Sequence, residues 1–235
     1  MDQIDYINKM FPQLWEDRWP DPEGALKQEG GKYDGCRTHT RSGMYTLVKT
    51  LRPRHILEIG SMGYSCSDIM AICMNDHGII GEIDSIDIRK GGYNGRHATE
   101  PSSQRVNPMF WLPHHTGCDE WKYDAPIEHP EFKDMTNDEI FAKNRRMLAQ
   151  VAPPTGYDLI LIDGDHSLEG ANWDWKYAGL FSNNETVFVV DDIADDRHKE
   201  VQQFWNSLAL LKCTDLSHWN EANPDCFVGL GICTR

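Results

Sequence analysis

Two acidic clusters, each closing an apolar run, carry the chemistry legible in this chain. The first is Tyr157-Asp158-Leu159-Ile160-Leu161-Ile162-Asp163-Gly164-Asp165-His166, and the second is Thr186-Val187-Phe188-Val189-Val190-Asp191-Asp192-Ile193. Twenty-eight positions separate Asp163 from Asp191, room for one crossover helix between two parallel strands. Such strands release their side chains at the same sheet edge, where open α/β sheets bind ligands. Three or four carboxylates meeting there invite a hard divalent cation or a cationic ligand. An acid ending a fully apolar strand is costly without a task, which singles out Asp163. A third run, His55-Ile56-Leu57-Glu58-Ile59-Gly60-Ser61-Met62-Gly63-Tyr64-Ser65, adds a strand followed by a glycine turn, the arrangement that cradles a cofactor.

The elements that must position these residues follow from periodicity. Residues 42–51 read as a helix, with Ser42 as its cap, and a strand follows at 55–59. Ser65-Cys66-Ser67-Asp68 has the form of a capping box opening a helix to about 76. Residues 83–88 alternate with period two. Residues 157–162 and 186–190 are continuously apolar, as in central parallel strands covered on both faces. Leu168, Ala171, Trp175 and Ala178 give the helix between them one apolar stripe. Asp195 or Asp196 caps another helix with Val201, Phe204, Trp205, Leu208 and Leu211 on its buried face. A third strand is expected at Met109–His114, and Thr136-Asn137-Asp138-Glu139 is a second capping box. Two last strands fall near 212–218 and 226–233. The alternation predicts an α/β protein with a doubly wound, mostly parallel sheet of seven strands. Residues 1–41 form an N-terminal extension, with a short amphipathic helix over 2–16. Residues 42–235 form the domain, with 89–135 as a variable excursion or lid over the active edge.

Composition bounds the rest. The chain has 235 residues, 40% of them apolar, enough for a sizeable core. Its formal net charge of −14 argues against a general nucleic-acid or anionic-membrane binder. No apolar run is long enough to span a membrane, and the N-terminus lacks the form of a secretory signal. Seven cysteines without a CxxC pair read as reduced, mostly buried thiols in a cytoplasmic protein.

The three motifs together resemble those of the class I S-adenosylmethionine-dependent methyltransferases. Ile56-Leu57-Glu58-Ile59-Gly60 resembles their first motif, and Ile83-Asp84-Ser85-Ile86-Asp87-Ile88 their second strand with its terminal acid. Leu159-Ile160-Leu161-Ile162-Asp163-Gly164-Asp165-His166 resembles the fourth-strand motif of small-molecule O-methyltransferases. The chain is similar to the methyltransferase domain 24 group and to the cation-dependent O-methyltransferases. The resemblance implies a Rossmann-like seven-stranded sheet with an antiparallel C-terminal strand. It implies that Glu58, Gly60, Ser61, Gly63, Tyr64 and Ser65 line the cofactor with Asp163, and that Asp87 accepts from the ribose hydroxyls. It implies Asp163, Asp191 and Asp192 as ligands of Mg²⁺ or another divalent cation, and Asp165, or else His166, as acceptor of the substrate proton. The implied partner is a small hydroxylated molecule, with neither nucleic acid nor membrane involved and a homo-oligomer allowed.

Plainer readings stand beside these. Glu58 could cap its turn, and one of Asp191 and Asp192 could do the same. His166 reads equally as an adenine stacker or a helix cap. His114 and His115 read as a solvated pair, Trp173 and Trp175 as packing, and Arg37, His39 and Arg41 as surface charge. Competing functions are a metal-independent methyltransferase, a non-catalytic module, a nicotinamide oxidoreductase and an aspartate-based Mg-dependent phosphatase. The oxidoreductase lacks its full G-x-G-x-x-G. The phosphatase would need a lysine at the site, and Lys176 falls mid-helix.

Overall fold

The computed structural model describes residues 35–61, 64–88, 103–115, 130–194, 198–209, 211–215 and 229–234. Seven strands form one sheet: β1 (His55–Ile59), β2 (Glu82–Asp87), β3 (Val106–Phe110), β4 (Tyr157–Ile162), β5 (Ser182–Val190), β6 (Leu211–Asp215) and β7 (Gly231–Thr234). Their order is β3-β2-β1-β4-β5-β7-β6. The first five run parallel, and β7 lies antiparallel between β5 and β6. The chain winds outward from β1 to β3, then returns to β4 and winds the other way. The order therefore reverses between β1 and β4, and a crevice opens at their carboxyl ends.

Apolar alternation along the strands builds a core on each face. Leu159 and Leu161 face α1 (Gly35–Leu51) and α2 (Ser65–Asp76), packing with Met44, Leu47, Val48, Met70 and Met74. Ile160 and Ile162 face α4 (Leu168–Leu180) and α5 (Lys199–Ser207), packing with Tyr177, Ala178, Val201, Phe204 and Trp205. Each fully buried side chain of this size contributes about 1.5–3 kcal/mol. The expected fully apolar β4 and β5 are thus covered twice over. The remaining helix, α3 (Asn137–Leu148), is capped by Thr136, which accepts from the Glu139 N–H while the Glu139 carboxylate accepts from the Thr136 N–H. No helix among the described residues is long and apolar enough to cross a membrane.

Several boundaries differ from expectation. Helix α1 begins at Gly35 rather than Ser42, so the chain is already helical through the last seven residues assigned to the N-terminal extension. Ser65 is the first residue of α2 and not its cap. Tyr64 precedes the helix in the left-handed conformation with no side-chain cap. Strand β3 ends at Phe110, four residues before the expected end at His114. It is an edge strand, so Pro108 is tolerated within it. Trp111 and Leu112 are buried beyond the strand, where both the N–H and the carbonyl of Leu112 bond the Asn144 amide at 2.8 Å. The cap of α5 is His198, and Asp195 and Asp196 lie outside the described residues, as do the expected helix at 2–16 and most of 89–135.

Candidate active site

Strand register builds the site. Ile86, Ile59, Ile162 and Val190 pair across β2, β1, β4 and β5 in one row. The next residue of each strand therefore lies on one line along the carboxyl edge: Asp87, Gly60, Asp163 and Asp191. The ladder extends through them. The Gly60 N–H donates to the Ile86 carbonyl (2.8 Å), Asp163 N–H to Ile59 (2.8 Å) and Asp191 N–H to Ile162 (3.0 Å).

On the β1–β2 flank, Gly60 has φ +90°, and a Cβ there would strike the Asp163 carbonyl. Only glycine permits both the turn and this approach. The Ser61 hydroxyl donates to the Asp87 carboxylate at 3.2 Å, tying the first turn to the end of β2. Glu58 is fully buried beneath. Its Oε2 accepts from the hydroxyls of Ser67 and Ser85, and its Oε1 has no hydrogen-bond partner among the described residues. Burial pushes its pKa up to about 7 against the pull of the two serines, with Asp163 and Asp87 adding to the rise. Tyr64 is buried in the core between α1 and α2, so it meets the turn through its backbone, whose N–H donates to the Ser61 carbonyl at 3.1 Å. Gly63 and the Ser65 side chain lie outside the described residues.

On the β4–β5 flank, Asp163, Asp191 and Asp192 meet within electrostatic range of one another. Burial raises the Asp191 carboxyl well above its ordinary pKa, and the other two acids raise it further. Asp191 accepts from the Thr40 hydroxyl at 2.9 and 3.1 Å and from the Asp192 N–H at 2.9 Å. Asp192 has φ +60°, which turns its carboxylate back toward β4. There His166 Nε2 lies 3.0 Å from Asp192 Oδ2 and 3.6 Å from Asp163 Oδ1. Both are ion pairs without hydrogen-bond alignment, and among the described residues the buried Nε2 has no hydrogen-bond partner. Burial pulls the His166 pKa down, but the two carboxylates outweigh it and lift it to about 11. Asp165 is half-buried. Its Oδ1 accepts from the Ser167 N–H at 2.9 Å, and its carboxylate packs over Gly170 at the start of α4.

Sequence reasoning missed five supporting residues. Ser67 and Ser85 hold Glu58, and Thr40 holds Asp191 from a helix that begins earlier than expected. Asp174 lies buried under the Gly164 turn, where it accepts from the Asp165 N–H at 3.2 Å, and burial pushes its carboxyl up to about 7. Its signal was available, since an acid three residues from Ala171 and four from Ala178 sits inside the apolar stripe of α4. His198 packs on His166 with ring centroids 4.0 Å apart. By contrast, His114 and His115 are not a solvated pair. His114 stacks on Trp173 and bonds the Tyr177 hydroxyl at 2.7 Å, and burial lowers its pKa to about 4. His115 Nε2 reaches the carbonyls of Phe132 (3.1 Å) and Met135 (2.9 Å). Lys176 sits over the Trp173 ring, 3.6 Å from its centroid, and is not the phosphatase lysine.

A family model described as a methyltransferase domain matches residues 57–193, more than half of the chain and every strand end that forms the site. The chain belongs to this family. It is a class I S-adenosylmethionine-dependent methyltransferase. The methyltransferase also resembles solved structures at fold level. A proposed O-methyltransferase from Klebsiella pneumoniae is 15% identical with a TM-score of 0.50, covering 100% of this chain and 90% of its own. A cofactor-bound protein from MTB is 12% identical with a TM-score of 0.50, covering 96% and 89%. The O-methyltransferase TomG from Streptomyces achromogenes, in complex with SAM, is 13% identical with a TM-score of 0.48, covering 100% and 90%. No curated protein matches the methyltransferase in sequence.

Proposed function

We propose that this methyltransferase moves the sulfonium methyl of S-adenosylmethionine to a hydroxyl of a small molecule, with a divalent cation beside the reacting oxygen. The observation that carries the reading is the row Asp87–Gly60–Asp163–Asp191 along one sheet edge, with a nucleoside-type flank at β1–β2 and an acid-rich flank at β4–β5. On the first flank, Asp87, oriented by Ser61, accepts from both ribose hydroxyls. The backbone at Gly60 and Ser61 faces the methionine moiety. Glu58 braces this turn through Ser67 and Ser85.

On the second flank, Asp163, Asp191 and Asp192 would hold the cation. The chemistry of the set fits one: Asp163 and Asp192 both act on the buried Asp191, which is forced well above its ordinary pKa. When bound, the ion lowers the pKa of the acceptor hydroxyl and fixes its aim. In-line displacement requires the acceptor oxygen about 3–3.5 Å from the methyl carbon, opposite sulfur. Asp165 takes the hydroxyl proton. The Ser167 N–H orients its Oδ1, and a carboxylate keeps further lone pairs for that transfer.

The test is transfer of labelled methyl from S-adenosylmethionine to a panel of catechol, phenolic and sugar-diol acceptors, with and without EDTA. Label in the acceptor, lost with EDTA and restored by a divalent ion, is the expected result. Transfer indifferent to EDTA would leave a metal-independent methyltransferase. Absence of cofactor binding together with hydrolysis of p-nitrophenyl phosphate would replace the reading.

A further inference from the structure

We infer that the rim carries a mixed nitrogen–oxygen metal centre formed by His166, His198 and Asp192, suited to a zinc-like transition-metal ion rather than Mg²⁺. The inference deepens the preceding proposal and rests on its cation-assisted reading of this rim. The three side chains come from separate pieces of chain: the turn after β4, the residue before α5, and the turn after β5. One ligand atom from each lies within 4.8 Å of the others. Ligands held about 2.1 Å from an ion stand about 3–4 Å apart, so small side-chain rotations close the set.

Two further features favour a metal over an ordinary polar contact. His166 Nε2 is buried and 3.0 Å from Asp192 Oδ2, an ion pair that among the described residues lacks hydrogen-bond alignment and has the spacing of two ligands on one ion. An ion bound there displaces the imidazole proton, and nitrogen and carboxylate then both face the ion. The two imidazoles also pack with ring centroids 4.0 Å apart at 45°, beside the carboxylate. The positive φ of Asp192 stores backbone strain that turns its carboxylate into this group. Asp163 Oδ1, 3.6 Å from His166 Nε2, completes a fourth position. Imidazole nitrogen suits zinc, cobalt, nickel and iron, whereas Mg²⁺ takes oxygen ligands and keeps its waters.

The experiment is titration of Co²⁺, Zn²⁺ and Mg²⁺ into metal-stripped full-length protein, read by calorimetry and, for cobalt, by its visible ligand-field bands. S-adenosylmethionine affinity and melting temperature are measured in parallel. One Co²⁺ per chain is expected, competed by Zn²⁺ and bound more tightly than Mg²⁺. His198→Ala and His198→Asn should weaken Co²⁺ about tenfold or more while S-adenosylmethionine affinity holds within about twofold. Mg²⁺ binding that both variants leave unchanged, with no cobalt bands, would overturn the inference and leave an oxygen-only cation site as first proposed. Cobalt spectra with intense thiolate charge transfer would place the ion on a cysteine and also overturn it. Absence of any divalent binding, with EDTA-indifferent turnover, would overturn both metal readings at once.

Discussion

Replacing Glu58 by glutamine changes how the stability of the cofactor-free protein depends on pH. The Glu58 side chain is fully buried, with one carboxylate oxygen held by two serine hydroxyls and the other without a hydrogen-bond partner among the described residues. Burial, partly countered by those serines, moves its pKa from the ordinary 4.5 to about 7. Between those pH values the folded chain keeps a proton that the unfolded chain has released. Stability therefore falls as pH rises through this window and levels off above about 7. At about 1.4 kcal/mol per pH unit, the loss approaches about 3 kcal/mol. A glutamine has no proton to lose there. The stability of Glu58→Gln relative to wild type should thus rise by up to about 3 kcal/mol between pH 4.5 and 7.5, or about 6–12 °C in melting temperature for a chain of this size. Urea titrations at half-unit pH steps, fitted for both proteins, measure the difference directly. Asp174 and Asp191 contribute slopes of their own, but these are common to both proteins. A difference that stays flat across the window would refute the claim that Glu58 is held as a buried acid of raised pKa.

Three other perturbations separate scaffold from site. Gly60→Ala should cost about 3 kcal/mol or more and abolish S-adenosylmethionine binding, because a Cβ meets the Asp163 carbonyl at positive φ. Chemical denaturation and calorimetry check the two parts. Thr40→Val removes the hydroxyl that bonds Asp191 and should lower stability by about 1–3 kcal/mol at pH 7, measured by urea midpoint. Thr136→Ala breaks the capping box of α3 and should cost about 1 kcal/mol while cofactor affinity stays at the wild-type value, since that cap lies outside the Asp87–Asp191 row.

The sheet was legible because its central strands are continuously apolar and end in acids. Leu159 through Asp163 and Val187 through Asp191 announce both buried strands and the line where they stop. The pairing of Thr40 with Asp191 was not legible, because it joins residues 151 positions apart through a helix start that the glycines of the preceding stretch disguise. The β3 boundary was misread because Trp111 and Leu112 are apolar for a different reason: they pack beyond the strand, where Asn144 ties down the Leu112 backbone. His198 carried no local signal at all. Its place beside His166 depends on how the chain leaves β5, a tertiary fact that no periodicity encodes.

The proposed site seats S-adenosylmethionine over Gly60 with its ribose on Asp87. Calorimetric titration of the cofactor into wild type and Asp87→Ala tests this most directly. Wild type should bind, and the variant should lose about 1.5–3 kcal/mol, roughly 10- to 150-fold in affinity, with its fold intact by circular dichroism. Equal affinity in the two proteins, or no binding by wild type, would contradict it.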